Sequence, residues 1–245
     1  MTRSRFASIA CAALAAALGA CADRPPAPDW QMNSKSAIER ALAAYLAGDT
    51  RIEAQEFERV RAEIARTGRP ALLARAELVR CASRVASLAL EPCAAFDALA
   101  ADAEPAERAY AAYLAGRIAA ADVVLLPEPH RALAVPSATP ASDQAALARM
   151  TDPLAQLVGA AVPLQLGRAG PGVVGLAVDT ASAQGWRRPL LAWLKVQLRQ
   201  AESAGDGAAV ERIRRRIALV GGTPPARDDA VPAASIDDTA RRGLG

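Results

Sequence analysis

Apolar positions along this chain recur at the three-and-four spacing of a helix face, and they rarely alternate with polar ones as a half-buried strand requires. Ile38, Leu42, Tyr45 and Leu46 share one face of a segment starting near Ser34, and Gly48-Asp49 closes it. A second segment turns Ile52, Phe57, Val60 and Ile64 inward, leaves Glu53, Glu56, Glu58, Arg59 and Arg61 for solvent, and stops at Gly68. Pro70 opens a third helix carrying Leu72, Leu73, Ala76, Val79, Val85 and Ala86 towards Leu90. Pro92-Cys93 opens a short fourth with Phe96 and Leu99 apolar. Farther on, Gln144 to Met150 is helical, Thr151-Asp152-Pro153 starts another helix, and Pro163 predicts its break. Val173 through Ala183 fits a helix or a buried strand, and its helical neighbours favour the helix. Trp186 and Pro189 begin a helix with Leu190, Leu191, Leu194 and Leu198 inward, and Ala204-Gly205-Asp206 turns it into a last one bearing Val210, Ile213 and Ile217.

Abundant alanine and an aromatic content of 4% support the same picture, because helix propensity is high and strands have little to build on. The expected class is all-α, an irregular helical-hairpin bundle or short solenoid. Residues 127–143, with Pro127, Pro129, Pro136 and Pro140, predict a linker or long surface loop between a front bundle over 34–126 and a rear bundle over 144–220. Helix exchange across it would make one domain of the two. The segment 21–33 reads as a proline-rich tether, and 221–245, without apolar periodicity, as a disordered tail.

The N-terminus changes the picture most. Arg3 and Arg5 precede an apolar run, Phe6 to Leu18, that is too short to span a bilayer as a mature helix. The run ends in Leu18-Gly19-Ala20-Cys21. That ending resembles the lipobox of bacterial lipoproteins, which implies a signal peptide over 1–20 and diacylation of Cys21, and in most members also of the amine freed by cleavage. Two or three acyl chains hold a protein on a membrane far more firmly than one. Ala22 follows the cysteine where inner-membrane lipoproteins often carry aspartate, so the expected address is the periplasmic face of the outer membrane.

Export also bears on Cys81 and Cys93. Two thiols separated by eleven residues in an oxidising compartment are expected to pair, the alternative being two buried reduced cysteines. Without neighbouring histidines they make half a zinc site at best, so no metal is expected.

An internal echo adds a second resemblance. Glu39 to Gly48 recurs as Glu107 to Gly116 with nine of ten positions identical, at an offset of 68 residues. The offset is twice 34, the period of tetratricopeptide repeats, in which helix pairs stack because no unit buries its own apolar face. The resemblance implies repeat-like hairpins. Glu58 stands where that family has a large apolar residue, and Pro127 and Pro129 interrupt the second helix expected after Tyr113, so a regular array is not implied.

Candidate chemistry is sparse. The formal charge is +3, near +1 once Arg3 and Arg5 leave with the signal, which is no nucleic-acid footprint. His130, between Pro129 and Arg131, is expected on the surface. Neither a nucleophile turn nor a phosphate loop is found, and no cofactor is expected. Glu77 and Glu104 are conceivable carboxylates for a peptidoglycan-modifying enzyme, the alternative function. The preferred one is a helical protein-interaction scaffold with an envelope protein partner. Basic residues cluster at the rear: Arg187, Arg188, Lys195 and Arg199 on one helix, and Arg212, Arg214, Arg215 and Arg216 on the next. Arg187, Arg188, Arg215 and Arg216 are the candidate partner-binding residues, through attraction to an anionic surface.

Overall fold

A computed structural model describes residues 26–222, and every regular element in it is helical. The order is α1 (Asp29–Ala47), α2 (Thr50–Ala65), α3 (Pro70–Ala86), α4 (Ala94–Asp97), α5 (Pro105–Leu114), a 3-10 helix (Ala120–Leu125), α6 (Glu128–Arg131), α7 (Pro140–Ala148), α8 (Pro153–Gln165), α9 (Pro171–Ala183), α10 (Arg187–Ser203) and α11 (Gly207–Gly221). The expected signal segment, Cys21 and the tail from residue 223 on lie outside the described residues.

Local chemistry places most boundaries. Asp49, Asp152 and Asp206 each accept a backbone N–H from the first turn of the next helix, at 2.9, 2.6 and 2.9 Å. Pro70, Pro105, Pro140, Pro153 and Pro171 are each the first residue of a helix, where a missing N–H costs nothing. Gly48 ends α1 at φ 102°, and Gly116, its counterpart in the echo, adopts φ 68° just past α5. Ala41 and Ala109, Tyr45 and Tyr113, and Leu46 and Leu114 are all buried, so the echo repeats burial as well as letters. The two copies then diverge: α2 pairs back on α1 as a hairpin, whereas α5 runs into the 3-10 helix.

Three expectations need correction. Asp29 to Asn33, assigned to the tether, belong to α1, because Pro28 is its N-cap and Asp29 favours the first turn. Pro163 does not break α8 but lies inside it. It lacks the N–H that would bond the carbonyl of Gly159 four residues back, close to the helix end, where one lost bond matters least. Gly159 itself is fixed by packing, since an added Cβ would stand 2.8 Å from Leu133 Cδ1 and 2.9 Å from Leu147 Cδ2. The segment 127–143 is not a surface linker: it carries α6, the start of α7 and the buried side chains of His130 and Leu133.

The core crosses the expected front and rear division. One apolar cluster joins Leu78, Cys81 and Val85 of α3 to Tyr113, Leu133, Leu147, Val158, Val178 and Trp193. A smaller cluster of Ala37, Ala41, Phe57, Val60 and Ile64 sits between α1 and α2 and meets Ala76 on the other side of α3. Trp193, fully buried, donates its indole N–H to the Ala86 carbonyl at 3.0 Å, which caps the last residue of α3 from α10.

Glu53 and Glu56, expected in solvent, are buried. Glu53 receives Arg80 Nε at 2.6 Å, Glu56 receives Arg40 Nε at 2.9 Å and Arg59 Nη1 at 2.8 Å, and Glu77 receives Arg61 at 2.8 and 2.6 Å. Each pair but Arg59's spans two helices, and a buried carboxylate needs such a partner to stay charged out of water. Cys81, inside α3, is bonded to Cys93, the N-cap of α4, with Cα atoms 5.7 Å apart. The staple closes the turn between the two helices, as the spacing predicted.

Candidate functional site: an apolar groove and a basic hairpin

Between α3, α5 and α8 lies a groove of about 530 Å³, within the range of about 300–1,000 Å³ usual for ligand pockets. Leu78, Val79 and Ala82 of α3 form one wall, Tyr110 of α5 and Leu126 another, and Leu154 and Val158 of α8 the third. Helical spacing aligns Leu78 with Ala82, and Leu154 with Val158, so each helix offers an apolar stripe. Three charged groups at the rim are paired or engaged: Arg75 Nε donates to Glu107 Oε1 at 2.5 Å, and Asp152 caps α8. Beside the groove, Val124 is 65% exposed, and Leu125, which lines it, is also exposed.

His130 lies behind this groove, not on the surface. The proline-flanked turn folds into α6, where Arg131 Nε donates to the Leu126 carbonyl at 2.9 Å. The imidazole then packs against both Tyr110 and Tyr113, with ring centroids 5.6 and 5.1 Å away, in a triangle closed by 6.0 Å between the two tyrosines. Its Nε2 is 3.0 Å from the Ala155 carbonyl, which only accepts, so the proton sits on Nε2. Nδ1 is a buried lone pair with no donor. Burial pushes the His130 pKa down, against opposing pulls from the Ala155 carbonyl and the Asp152 charge. Burial raises the pKa of both Tyr110 and Tyr113.

The sign of the resulting pH dependence is fixed. A histidine with a lowered pKa in the folded state takes its proton first in the unfolded chain. Its contribution is present above the unfolded value of about 6.5 and is lost as pH falls from there towards the lower folded value. We expect the thermal midpoint to fall between pH 7 and pH 5, and the fall to be smaller in His130→Gln. Parallel curves for the two proteins would remove His130 as the titrating group.

The rear arginines divide. Arg187 donates from Nε to the Val220 carbonyl at 2.9 Å and from Nη2 to Gly221 at 3.1 Å, capping α11. Arg188 donates to the Tyr45 carbonyl at 2.6 Å and the Thr50 hydroxyl at 2.8 Å, with its guanidinium 4.3 Å from the Tyr45 ring centroid. Both are candidate partner-binding residues, and within the fold Arg187 meets carbonyls in the last turn of α11 while Arg188, on a Tyr45 carbonyl that also accepts the Gly48 N–H, ties α10 to the α1–α2 turn. Sequence alone held no sign of this, since Tyr45 and Arg188 meet only when the chain's ends pack together. Arg212, Arg215, Arg216 and Leu219 follow the three-and-four spacing along α11, and all but the half-buried Arg216 are exposed. Lys195 and Arg199 are exposed on α10. Arg214 is paired to Glu202 and Glu211.

Of the carboxylates considered for catalysis, Glu77 is engaged and Glu104 is an exposed helix cap. Glu77 lines a pocket of about 290 Å³ beside the disulfide, but its Oε1 holds two Arg61 donors. Glu104 is the N-cap of α5, where its own N–H donates to Glu107 Oε2 at 2.9 Å. Among the described residues, no helix is long and apolar enough to cross a membrane. No family model matches the chain, and no curated protein or solved structure matches it either.

Proposed function

We propose that this chain is a membrane-anchored lipoprotein of the bacterial cell envelope whose helical body acts as a protein-interaction scaffold. Acylated Cys21 holds it in outer-membrane lipid on the periplasmic side, and an envelope protein with an anionic surface is the partner. The observation that carries the reading is the basic row of α11, with Arg212 and Arg215 exposed and the half-buried Arg216 beside them, together with the exposed Lys195 and Arg199 on the neighbouring helix. The lipobox-like Leu18-Gly19-Ala20-Cys21 supplies the address, and the buried echo positions of α1 and α5 support descent from tetratricopeptide-like hairpins. The enzyme alternative has less support, because Glu77 is buried and held by Arg61, and Glu104 is an exposed residue at the start of α5.

Cys21→Ser should release the protein from the membrane fraction or block its processing, and metabolic labelling with a fatty acid should mark the wild type only. A wild-type protein of processed mass that takes no label would defeat the anchoring. For the partner, replacing the exposed Arg199, Arg212 and Arg215 together with glutamine should leave helical content and melting nearly unchanged, because exposed charges stabilise little. Crosslinked co-purification of the partner should weaken, and its salt dependence flatten. Arg188→Gln, by contrast, should lower the melting temperature. Full retention of every partner by the triple variant, at low and high salt, would reduce the basic row to a solvated surface.

A further inference from the structure

The groove between α3, α5 and α8 is a site separate from the basic hairpin, and its lining selects a ligand class. Its walls are hydrocarbon along their length, from Leu78 and Ala82 to Leu154 and Val158. A ligand with polar groups spread along them would bury those groups unpaired, at a cost that apolar contact does not recover. An α-helix with its side chains is about 10 Å across, so about 530 Å³ would hold only about one turn of it. The body that fits is a small hydrocarbon one, and any polar group belongs at the rim.

The rim decides the charge of that group. Arg75 and Glu107 form an ion pair and cancel, which leaves Asp152 as the unmatched charge. Asp152 is exposed, its Oδ1 accepts the Ala155 N–H, and among the described residues its second oxygen has no hydrogen-bond partner. The N-terminus of α8 offsets about half a unit of that charge, so the rim stays negative. Beside it the Tyr110 ring lines the groove, and burial first, then the Asp152 charge, raises the pKa of this phenol. A carboxylate next to an aromatic ring attracts a cation twice, through its charge and through the negative face of the ring. An anionic head would be repelled.

We propose that this groove binds a lipophilic amine, with its hydrocarbon between α3, α5 and α8 and its one protonated nitrogen beside Asp152. The test uses the full chain carrying Cys21→Ser, so that no acyl group of its own competes. Displacement of Nile red, an uncharged apolar dye, is measured with decylamine, decanol, decanoate and butylamine. Decylamine should bind at least about threefold more tightly than decanol, the gain from one exposed ion pair with a cation–π contact. Decanoate should be weaker than decanol. Butylamine should be at least about a hundredfold weaker than decylamine, since each buried methylene adds to affinity. Raising the salt concentration should shrink the lead of decylamine over decanol.

Asp152→Asn, which keeps a capping side chain at the start of α8, should erase that lead and leave decanol bound. Ala106→Trp, at an exposed position on the groove wall, should weaken decylamine and decanol alike, by at least about tenfold. If that variant melts lower than its parent, Leu125→Lys at the exposed lip should weaken decylamine by repelling its charge. Failure of decylamine to displace the dye, or unchanged decylamine binding by both Ala106→Trp and Leu125→Lys, would overturn the site. Decanol or decanoate bound as tightly as decylamine, or a lead that survives Asp152→Asn, would overturn the choice of an amine. None of these outcomes depends on whether Cys21 is acylated or which protein the basic row meets.

Discussion

Arg168→Met should cost about 3–5 kcal/mol of stability, the amount lost when one member of a buried ion pair is removed. Asp143, in α7, is fully buried, and Arg168, in the turn after α8, donates from Nε to its Oδ2 at 2.8 Å. A second guanidinium nitrogen of Arg168 donates to the Leu133 carbonyl. One side chain therefore holds α7, α8 and the proline-rich segment together. The other oxygen of Asp143 has no hydrogen-bond partner, so beyond its place in the first turn of α7 the charge depends on Arg168. Methionine keeps much of the stem and its packing but leaves the carboxylate alone in the core. Chemical denaturation should show the loss. The double replacement Arg168→Met with Asp143→Leu should recover most of it, because removing a buried pair whole is far cheaper than breaking it. A single variant as stable as wild type, or a double variant no better than the single, would show that the pair is not what secures this junction.

Reduction of the Cys81–Cys93 bond should lower stability by about 3 kcal/mol in the loop-entropy account. The bond joins residues 12 apart in sequence. For a body of this size that corresponds to about 6–12 °C in the thermal midpoint. The effect is large because the core is poor in aromatic anchors: alanine supplies many of its buried positions, and each buries little area. Cys81→Ser with Cys93→Ser should match the reduced wild type. Both thiols should resist alkylation until reduced, and free thiols in protein taken from an oxidising compartment would contradict the staple.

Much of the fold was legible in the sequence because helix ends are decided within one turn. An aspartate just ahead of a first turn at Asp49, Asp152 and Asp206, and a proline at position one at Pro70 and Pro153, act on backbone groups three or four residues away. The inward rows of Phe57, Val60 and Ile64, and of Leu190 and Leu194, follow from periodicity alone. The disulfide was legible for the same reason, since the two cysteines lie on either side of one turn.

The burial of Glu53, Glu56 and Glu77 was not legible, because the arginines that make it tolerable come from other helices: Arg80 and Arg61 across α2 and α3, and Arg40 from α1. On a single helix those glutamates look like any solvated face. His130 misled for a related reason. Prolines predict a surface loop by their local cost, but α6 recovers that cost by stacking on Tyr110 and Tyr113.

The sequence by itself determined that the chain is helical, where most helices begin and end, and which two cysteines pair. Those are outcomes of short-range hydrogen bonding and periodic burial. Only the tertiary structure decided that the expected front and rear bundles share one core, that Arg187 and Arg188 bond to carbonyls near helix ends, and that three helices leave an apolar groove between them. Each of these depends on side chains tens to more than a hundred residues apart, such as Tyr45 and Arg188, and no pattern within a few turns encodes where they meet.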